Sequence, residues 1–139
     1  PRVWSPGNLG GEPILVHYFP LPYFLMALFA LFVSQSVAFN IVSFLHLFLL
    51  PPSVYFAIRS LGLRFPAPLL AAGCTLGFLY NESFSMWGGN TLSTLAGQFA
   101  HGYALVLLLI LIGVTARELR FRKRPIGSAF TTAAITISH

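Results

Sequence analysis

Hydrophobic residues fill this chain in long runs, and the polar positions are collected in short segments between them. The runs predict helices, since a membrane-crossing helix needs about 20 mostly apolar residues. Two runs have that length, at 37–59 and 97–116; a third, 65–80, is predicted to cross back between them, and 126–139 to begin a further span. The first run, 21–34, would reach only about 21 Å, so we expect a short or interfacial helix there. The pattern predicts an all-α, polytopic bundle of transmembrane helices in a single membrane-integral domain.

Composition supports a lipid environment. The 139 residues are 56% hydrophobic and only 8% charged, with a mean hydropathy of +0.78, whereas soluble domains carry about 25% charged residues. The net charge of +5 does not indicate nucleic-acid binding, because five of the eight basic residues lie in one run directly after an apolar helix. The single cysteine excludes an intrachain disulfide.

Charge also predicts the topology. The segment 117–125 carries a net charge of +4, from five basic residues and Glu118, and positive loops face the cytoplasm. The polar loop 81–96 is then extracytoplasmic. Residues 1–20 lie on that same outer side if helix 21–34 does not cross, which its length favours. The chain begins without Met and ends in an apolar run, so we expect a fragment of a longer protein.

Several residues inside the predicted spans predict local features of the helices. Pro51 and Pro52 lack backbone N–H groups and should kink the helix 37–59. Asn40 and His46 are polar groups within that helix, and we expect His46 to make an interhelical hydrogen bond. The small residues of 71–77 leave one smooth face for another helix.

Candidate chemistry is concentrated in the polar stretch 80–101. Glu82 is its only acid, and is either an ordinary solvated carboxylate or a group that orients a metal ion or an acceptor hydroxyl. Gly88, Gly89 and Asn90 fit a tight turn with positive φ; the functional alternative is a cradle of backbone N–H groups for a phosphate. Trp87 suits either stacking on a sugar or anchoring at the membrane interface.

Further candidates flank this stretch. Ser93 and Thr94 can cap the helix that follows. Gln98 and His101 are three residues apart, so they share one helical face that either lines a cavity or packs. In the first loop, Glu12 and His17 are candidates for contacts with a substrate.

The strings GGEP…HYFPLPYFLMALFAL and FSMWGGNTLSTLAGQFAHGYALVL resemble the first and second extracytoplasmic loops of GT-C-type membrane glycosyltransferases. The second string is similar to the branch called the 6-pyruvoyl-tetrahydropterin synthase-related membrane proteins. The resemblance implies a GT-C-like helical bundle with a short interfacial helix after the first loop motif. It also implies sugar transfer from a polyprenyl-phosphate donor on the extracytoplasmic face, in a prokaryotic inner (plasma) membrane.

The resemblance also implies residue roles. Glu82 and His101 become catalytic candidates, and the substrate-binding candidates are Glu12, His17, Trp87, Gly88, Gly89, Asn90 and Gln98. The acidic residue that GT-C enzymes place early in the first loop would precede Pro1. Relatives often have Glu where this chain has Gln98, and a neutral amide is a poor ligand for a hard metal ion. No cofactor is predicted, although a divalent metal ion is compatible with the resemblance.

Two other functions stay open at this point. One is a non-catalytic GT-C-like scaffold or accessory subunit of a membrane complex, which the scarcity of carboxylates favours. The other, a transporter segment, would place charges in mid-span, where only Asn40 and His46 are found. The expected partners are the lipid bilayer, a lipid-linked sugar donor and other helices of the same or a partner protein, with no nucleic acid.

Overall fold

The computed structural model describes residues 4–5, 12–13, 20–82, 88–122 and 124–138. Apart from one antiparallel pair of two-residue strands, in which Trp4 lies opposite Pro13, the regular structure of these residues is helical. The predicted all-α fold is therefore confirmed. The strands are β1 (Trp4–Ser5) and β2 (Glu12–Pro13). The helices are α1 (Pro20–Phe29), α2 (Gln35–Ser60), α3 (Ala67–Leu79), α4 (Thr91–Leu95), α5 (Phe99–Arg120) and α6 (Ile126–Ser138).

Helices α2 and α5 run parallel to each other and form the centre of the bundle. Near their amino-terminal ends the rings of Phe39 and Phe99 meet edge to face, with centroids 6.0 Å apart. Near their carboxyl-terminal ends Gly113 lies against the ring of Phe56. Because the contacts follow the same order along both helices, the chain must return the full length of the bundle between them.

Two helices have the length and composition to cross a membrane. Helix α2 has 26 residues and a hydropathy of 1.9, and α5 has 22 residues and a hydropathy of 2.1, so they measure about 39 and 33 Å against a hydrocarbon core of about 30 Å. Helix α1 has 10 residues and measures about 15 Å. Its length is that of the predicted short or interfacial helix.

Helix α2 contains both prolines and continues as one element from Gln35 to Ser60. Each proline removes one N–H from the helical ladder. Ser53, which follows them, donates its hydroxyl to the carbonyl of Leu50 at 2.7 Å. The prolines therefore do not divide the predicted span into two helices.

Helix α3 covers only half of the return path. It has 13 residues, about 20 Å, and its last residue, Leu79, packs in a buried cluster with Leu50 and Val106. Leu50 lies near the middle of α2, 15 residues after its start. The helix in the apolar run 65–80 thus has about half the length of α2.

Helix α6 is fixed to the end of α5 by a carboxylate. The Oε1 atom of Glu118 accepts hydrogen bonds from the backbone N–H groups of Gly127 and Ser128, at 2.8 and 3.2 Å. Free N–H groups at a helix start favour a negative charge. The single acid within the basic run therefore caps the next helix.

The close approach of α2 to α5 depends on a missing side chain. Gly102 is buried on α5, and a Cβ atom at this position would overlap the ring of His46 on α2. His46 is 1% exposed, so its ring has no free space into which it could move.

We expect Gly102→Ala to destabilise the bundle by about 1–3 kcal/mol, the usual cost of inserting a methyl group into a packed core. Gly77→Ala on α3 is the matched control, because no atom lies within 4 Å of its Cβ position, and it should be neutral or slightly stabilising. Thermal unfolding of the purified protein in detergent measures both variants. Equal melting temperatures for the two variants would contradict the tight packing of Gly102 against His46.

Candidate functional site

The polar residues after Gly88 fold into a compact unit around Asn90. The Oδ1 atom of Asn90 accepts from the backbone N–H of Ser93 at 2.9 Å and so caps α4. Its Nδ2 group donates to the carbonyl of Asn81 at 2.8 Å. One buried amide therefore ties the two ends of the segment 81–93 together.

The paired glycines make the turn that the sequence predicts. Gly88 and Gly89 have φ values of +76° and +86°, in the left-handed region that side chains disfavour. The N–H of Gly88 donates to the hydroxyl of Ser93 at 3.0 Å, and Ser93 is fully buried. This amide is thus engaged inside the loop, and a phosphate cradle would have to use other N–H groups.

Thr94 joins the loop to helix α2. Its hydroxyl donates to the carbonyl of Asn90 at 2.9 Å and lies 3.1 Å from Nε2 of His46. The imidazole tautomer sets which of these two groups donates in the hydrogen bond between them. The predicted interhelical hydrogen bond of His46 is confirmed, with its partner on the short helix α4.

This hydrogen bond lies deep in the bundle. His46 is 11 residues from the start of α2, which is about 16 Å along the helix axis. Irregular backbone at membrane depth is tolerated only where protein or enclosed water satisfies its polar groups. The contacts of Asn90, Ser93 and Thr94 supply that satisfaction, and they hold part of the predicted outer loop inside the bundle.

The structure brings three of the predicted site residues together. His101 is exposed on the first turn of α5, and its side chain lies directly against Gly88, where a Cβ atom would overlap it. Gln98 is half-buried at the start of the same helix, and its backbone N–H donates to the carbonyl of Ser93 at 2.8 Å. His101 and the start of α5 that carries Gln98 therefore lie at this corner of the loop.

The structure gives less information on the other predicted site residues. Glu82 is exposed at the start of the loop. The backbone of Glu12 lies in β2, while His17 and Trp87 fall outside the described residues. Within the described part of the chain, no group of three His, Cys, Asp or Glu side chains is arranged to hold a metal ion.

A groove that sequence reasoning missed opens between α1 and the start of α2. It has a volume of about 530 Å³ and is lined by Met26, Ala27, Ala30, Gln35, Ser36, Phe39 and Asn40. Its Phe39 wall contacts Phe99, and Tyr23 meets the same ring with a centroid distance of 6.2 Å. The groove therefore lies beside the helix start that carries Gln98 and His101. The sequence signal was present in the polar residues 35, 36 and 40 near the start of α2.

Comparison with known proteins agrees with this arrangement of apolar helices. Residues 16–139 match the family described as the 6-pyruvoyl-tetrahydropterin synthase related domain, a membrane protein. The chain belongs to this family. No curated protein and no solved structure matches it. The resemblance to this family in the sequence is thus confirmed, and the crossing helices α2 and α5 belong to a membrane protein.

Two substitutions separate the two hydrogen bonds that the Asn90 side chain makes in this family member. Asn90→Ser keeps an oxygen that can cap α4 without adding a charge at this buried position but loses the donor to Asn81, whereas Asn90→Ala loses both bonds. Losing a helix cap costs about 0.5–2 kcal/mol, so the melting temperature should fall most for Asn90→Ala. Leu95→Ala, at a 67% exposed position of the same helix, is the control and should have little effect. An Ala variant as stable as the wild type would show that the loop does not depend on Asn90.

Proposed function

We propose that this chain is part of a GT-C-like membrane glycosyltransferase that uses a polyprenyl-phosphate-linked sugar on the extracytoplasmic face of a prokaryotic plasma membrane. The observation that carries the proposal is the groove between α1 and α2, which lies beside the start of α5 and combines apolar walls with a polar end. A lipid-linked sugar has the same combination of an apolar chain and a polar head.

The walls of the groove suit the lipid part of such a donor. Met26 and Ala27 of α1 and Ala30, which directly follows it, present apolar side chains, and Leu28, Leu31 and other apolar residues nearby are exposed. In a membrane these surfaces face lipid tails, so a polyprenyl chain would reach the groove laterally without crossing water.

The polar end of the groove suits the phosphate. Gln35 and Ser36 carry amide and hydroxyl donors, and they occupy the first turn of α2, whose Ser34 cap makes no side-chain hydrogen bond. The N–H groups at the start of a long helix favour anions. A phosphate at this position would therefore have both backbone and side-chain donors.

The polar loop would supply the reacting groups. In sugar transfer the acceptor hydroxyl loses its proton as its oxygen bonds the sugar carbon, and the bond from that carbon to the phosphate oxygen breaks. Glu82 is the candidate carboxylate that receives the proton, and His101 is the candidate that hydrogen-bonds the leaving phosphate. Both side chains are exposed, as contact with a soluble acceptor requires.

The alternative is a non-catalytic GT-C-like scaffold or accessory subunit of a membrane complex. Of the carboxylate side chains that the structure describes, Glu82 is exposed and Glu118 caps α6. Gln98 occupies the position where a carboxylate would be expected from the resemblance. Among the side chains that the structure describes, these features leave Glu82 as the acid available for chemistry.

Transfer assays on the full-length protein distinguish the two functions. With a radiolabelled polyprenyl-phosphate sugar as donor, Glu82→Gln and His101→Ala should each lower the transfer rate by about 10²–10⁴-fold, the usual contribution of a general acid or base. Cys74→Ser, at an exposed position of α3, is the control and should retain the wild-type rate.

Two other outcomes of the transfer assay would lead to different conclusions. Transfer that is unchanged in both variants would show that the assigned residues are wrong. Absence of transfer by the wild-type protein, together with its isolation as a stable part of a larger complex, would favour the accessory subunit.

A further inference from the structure

A second cavity lies at the end of the bundle opposite the polar loop. Its volume is about 650 Å³, and it is lined by four arginines, Arg59, Arg64, Arg117 and Arg120, together with Glu118 and Phe56. The arginines come from the end of α2, the turn that follows it and the end of α5. Two stretches that are distant in the sequence, 59–64 and 117–120, thus direct cationic side chains to one cavity.

Two of the guanidinium groups are held at the cavity by contacts within the protein. The Cζ atom of Arg117 lies 4.5 Å from the centroid of the Phe56 ring, in a cation–π contact. The Nη1 atom of Arg120 lies 3.2 Å from the Cβ position of Gly62, a glycine with a φ of +98°. A side chain at Gly62 would crowd this guanidinium, so the turn leaves room for it.

The cavity lacks matching negative charge. Of the two acids whose side chains the structure describes, Glu82 lies in the polar loop, and Glu118 uses its Oε1 atom to cap α6 while its Oε2 atom has no hydrogen-bond partner. Four arginines and one glutamate give a net charge of +3 around the cavity. Like charges held this close repel one another, and an anion between them would relieve the repulsion.

We propose that this cavity binds the phosphate of an anionic phospholipid head group on the cytoplasmic side of the membrane. Guanidinium groups match phosphate oxygens with paired hydrogen bonds, and basic pockets between membrane helices on the cytoplasmic side are suited to anionic head groups. A soluble phosphate offers the same chemistry to the arginines. The apolar walls formed by Phe56 and Val114 favour the lipid, whose acyl chains would lie along them.

This site is separate from the proposed sugar transfer. The rule that positive loops face the cytoplasm explains why basic residues are present at this end. It does not explain why arginines from α2, α5 and the turn converge on a cavity, and a bound head group does. The site would fix the ends of α2 and α5 to each other through a lipid.

Two double variants that remove the same charge test the proposal. Arg59→Gln with Arg120→Gln removes two cavity arginines, and Arg122→Gln with Arg124→Gln removes two arginines of the same basic region that do not line the cavity. The purified proteins in nonionic detergent are titrated with phosphatidylglycerol, phosphatidylcholine or inorganic phosphate. Binding is followed by native mass spectrometry and by the rise in melting temperature that a ligand of the folded state produces.

We expect phosphatidylglycerol to bind more tightly than phosphatidylcholine. Each charge-assisted hydrogen bond is worth about tenfold in affinity, so the cavity variant should bind phosphatidylglycerol about a hundredfold more weakly. The control variant should change this affinity by less than about threefold, on the scale of screened surface charges. If the cavity variant does not fold, Arg64→Gln, at an exposed position of the turn, takes its place with an expected tenfold loss.

Three results would overturn the proposal. Equal weakening by both double variants would show a diffuse effect of charge rather than a site. Equal binding of both lipids, or of neither, would remove the preference for an anionic head group. Inorganic phosphate that binds as tightly as phosphatidylglycerol and displaces it would show a site for soluble phosphate instead of lipid.

Discussion

The hydrogen bond between His46 and Thr94 holds polar, irregular backbone inside an apolar bundle. The arrangement of the half of the bundle that contains the polar loop depends on it. A polar group buried among apolar side chains costs free energy unless it is paired. Here Asn90, Ser93 and Thr94 pair the groups of the loop with one another, and His46 connects the resulting unit to α2. Gly102 completes the arrangement, since its missing side chain lets the imidazole lie between the helices.

This constraint gives the two ends of the bundle different chemistry. At the end that carries the polar loop, α3 stops halfway along α2, and the side chain of His101 lies against Gly88. At the opposite end α2 and α5 reach full length, and arginines from both helices meet at a cavity. This difference is the basis of the two proposals, a lipid-linked substrate at the loop end and an anionic head group at the arginine end.

The features that sequence predicted well are those set by local chemistry. Length and hydropathy placed α2 and α5 within a few residues, and the short α1 followed from 14 apolar residues bounded by prolines and Gln35. The positive φ of Gly88 and Gly89 followed from the residue type. His46 was predicted to make an interhelical bond because an imidazole inside an apolar helix needs a partner.

The features that sequence could not predict depend on contacts between distant residues. Nothing within the run 65–80 shows that Leu79 meets Leu50 and Val106 halfway along α2, so a half-length helix could not be told from a span. The pairing of His46 with Thr94 joins positions 48 residues apart. The groove and the arginine cavity likewise exist only once separate helices pack together, because each is lined from more than one element.

A double-mutant cycle on His46 and Thr94 tests the central claim most directly. The free energy of unfolding is measured for His46→Leu, Thr94→Val and the double variant in mixed detergent micelles. His46→Leu removes one of the two hydrogen-bond partners of the Thr94 hydroxyl, and Thr94→Val leaves the buried Nε2 atom of His46 unpaired, at a cost of about 1–3 kcal/mol; the double substitution removes both members of the pair. The account predicts that the double variant loses less stability than the sum of the single variants, by at least about 0.5 kcal/mol. Strictly additive losses would show that the two side chains do not interact, and would contradict a loop anchored inside the bundle.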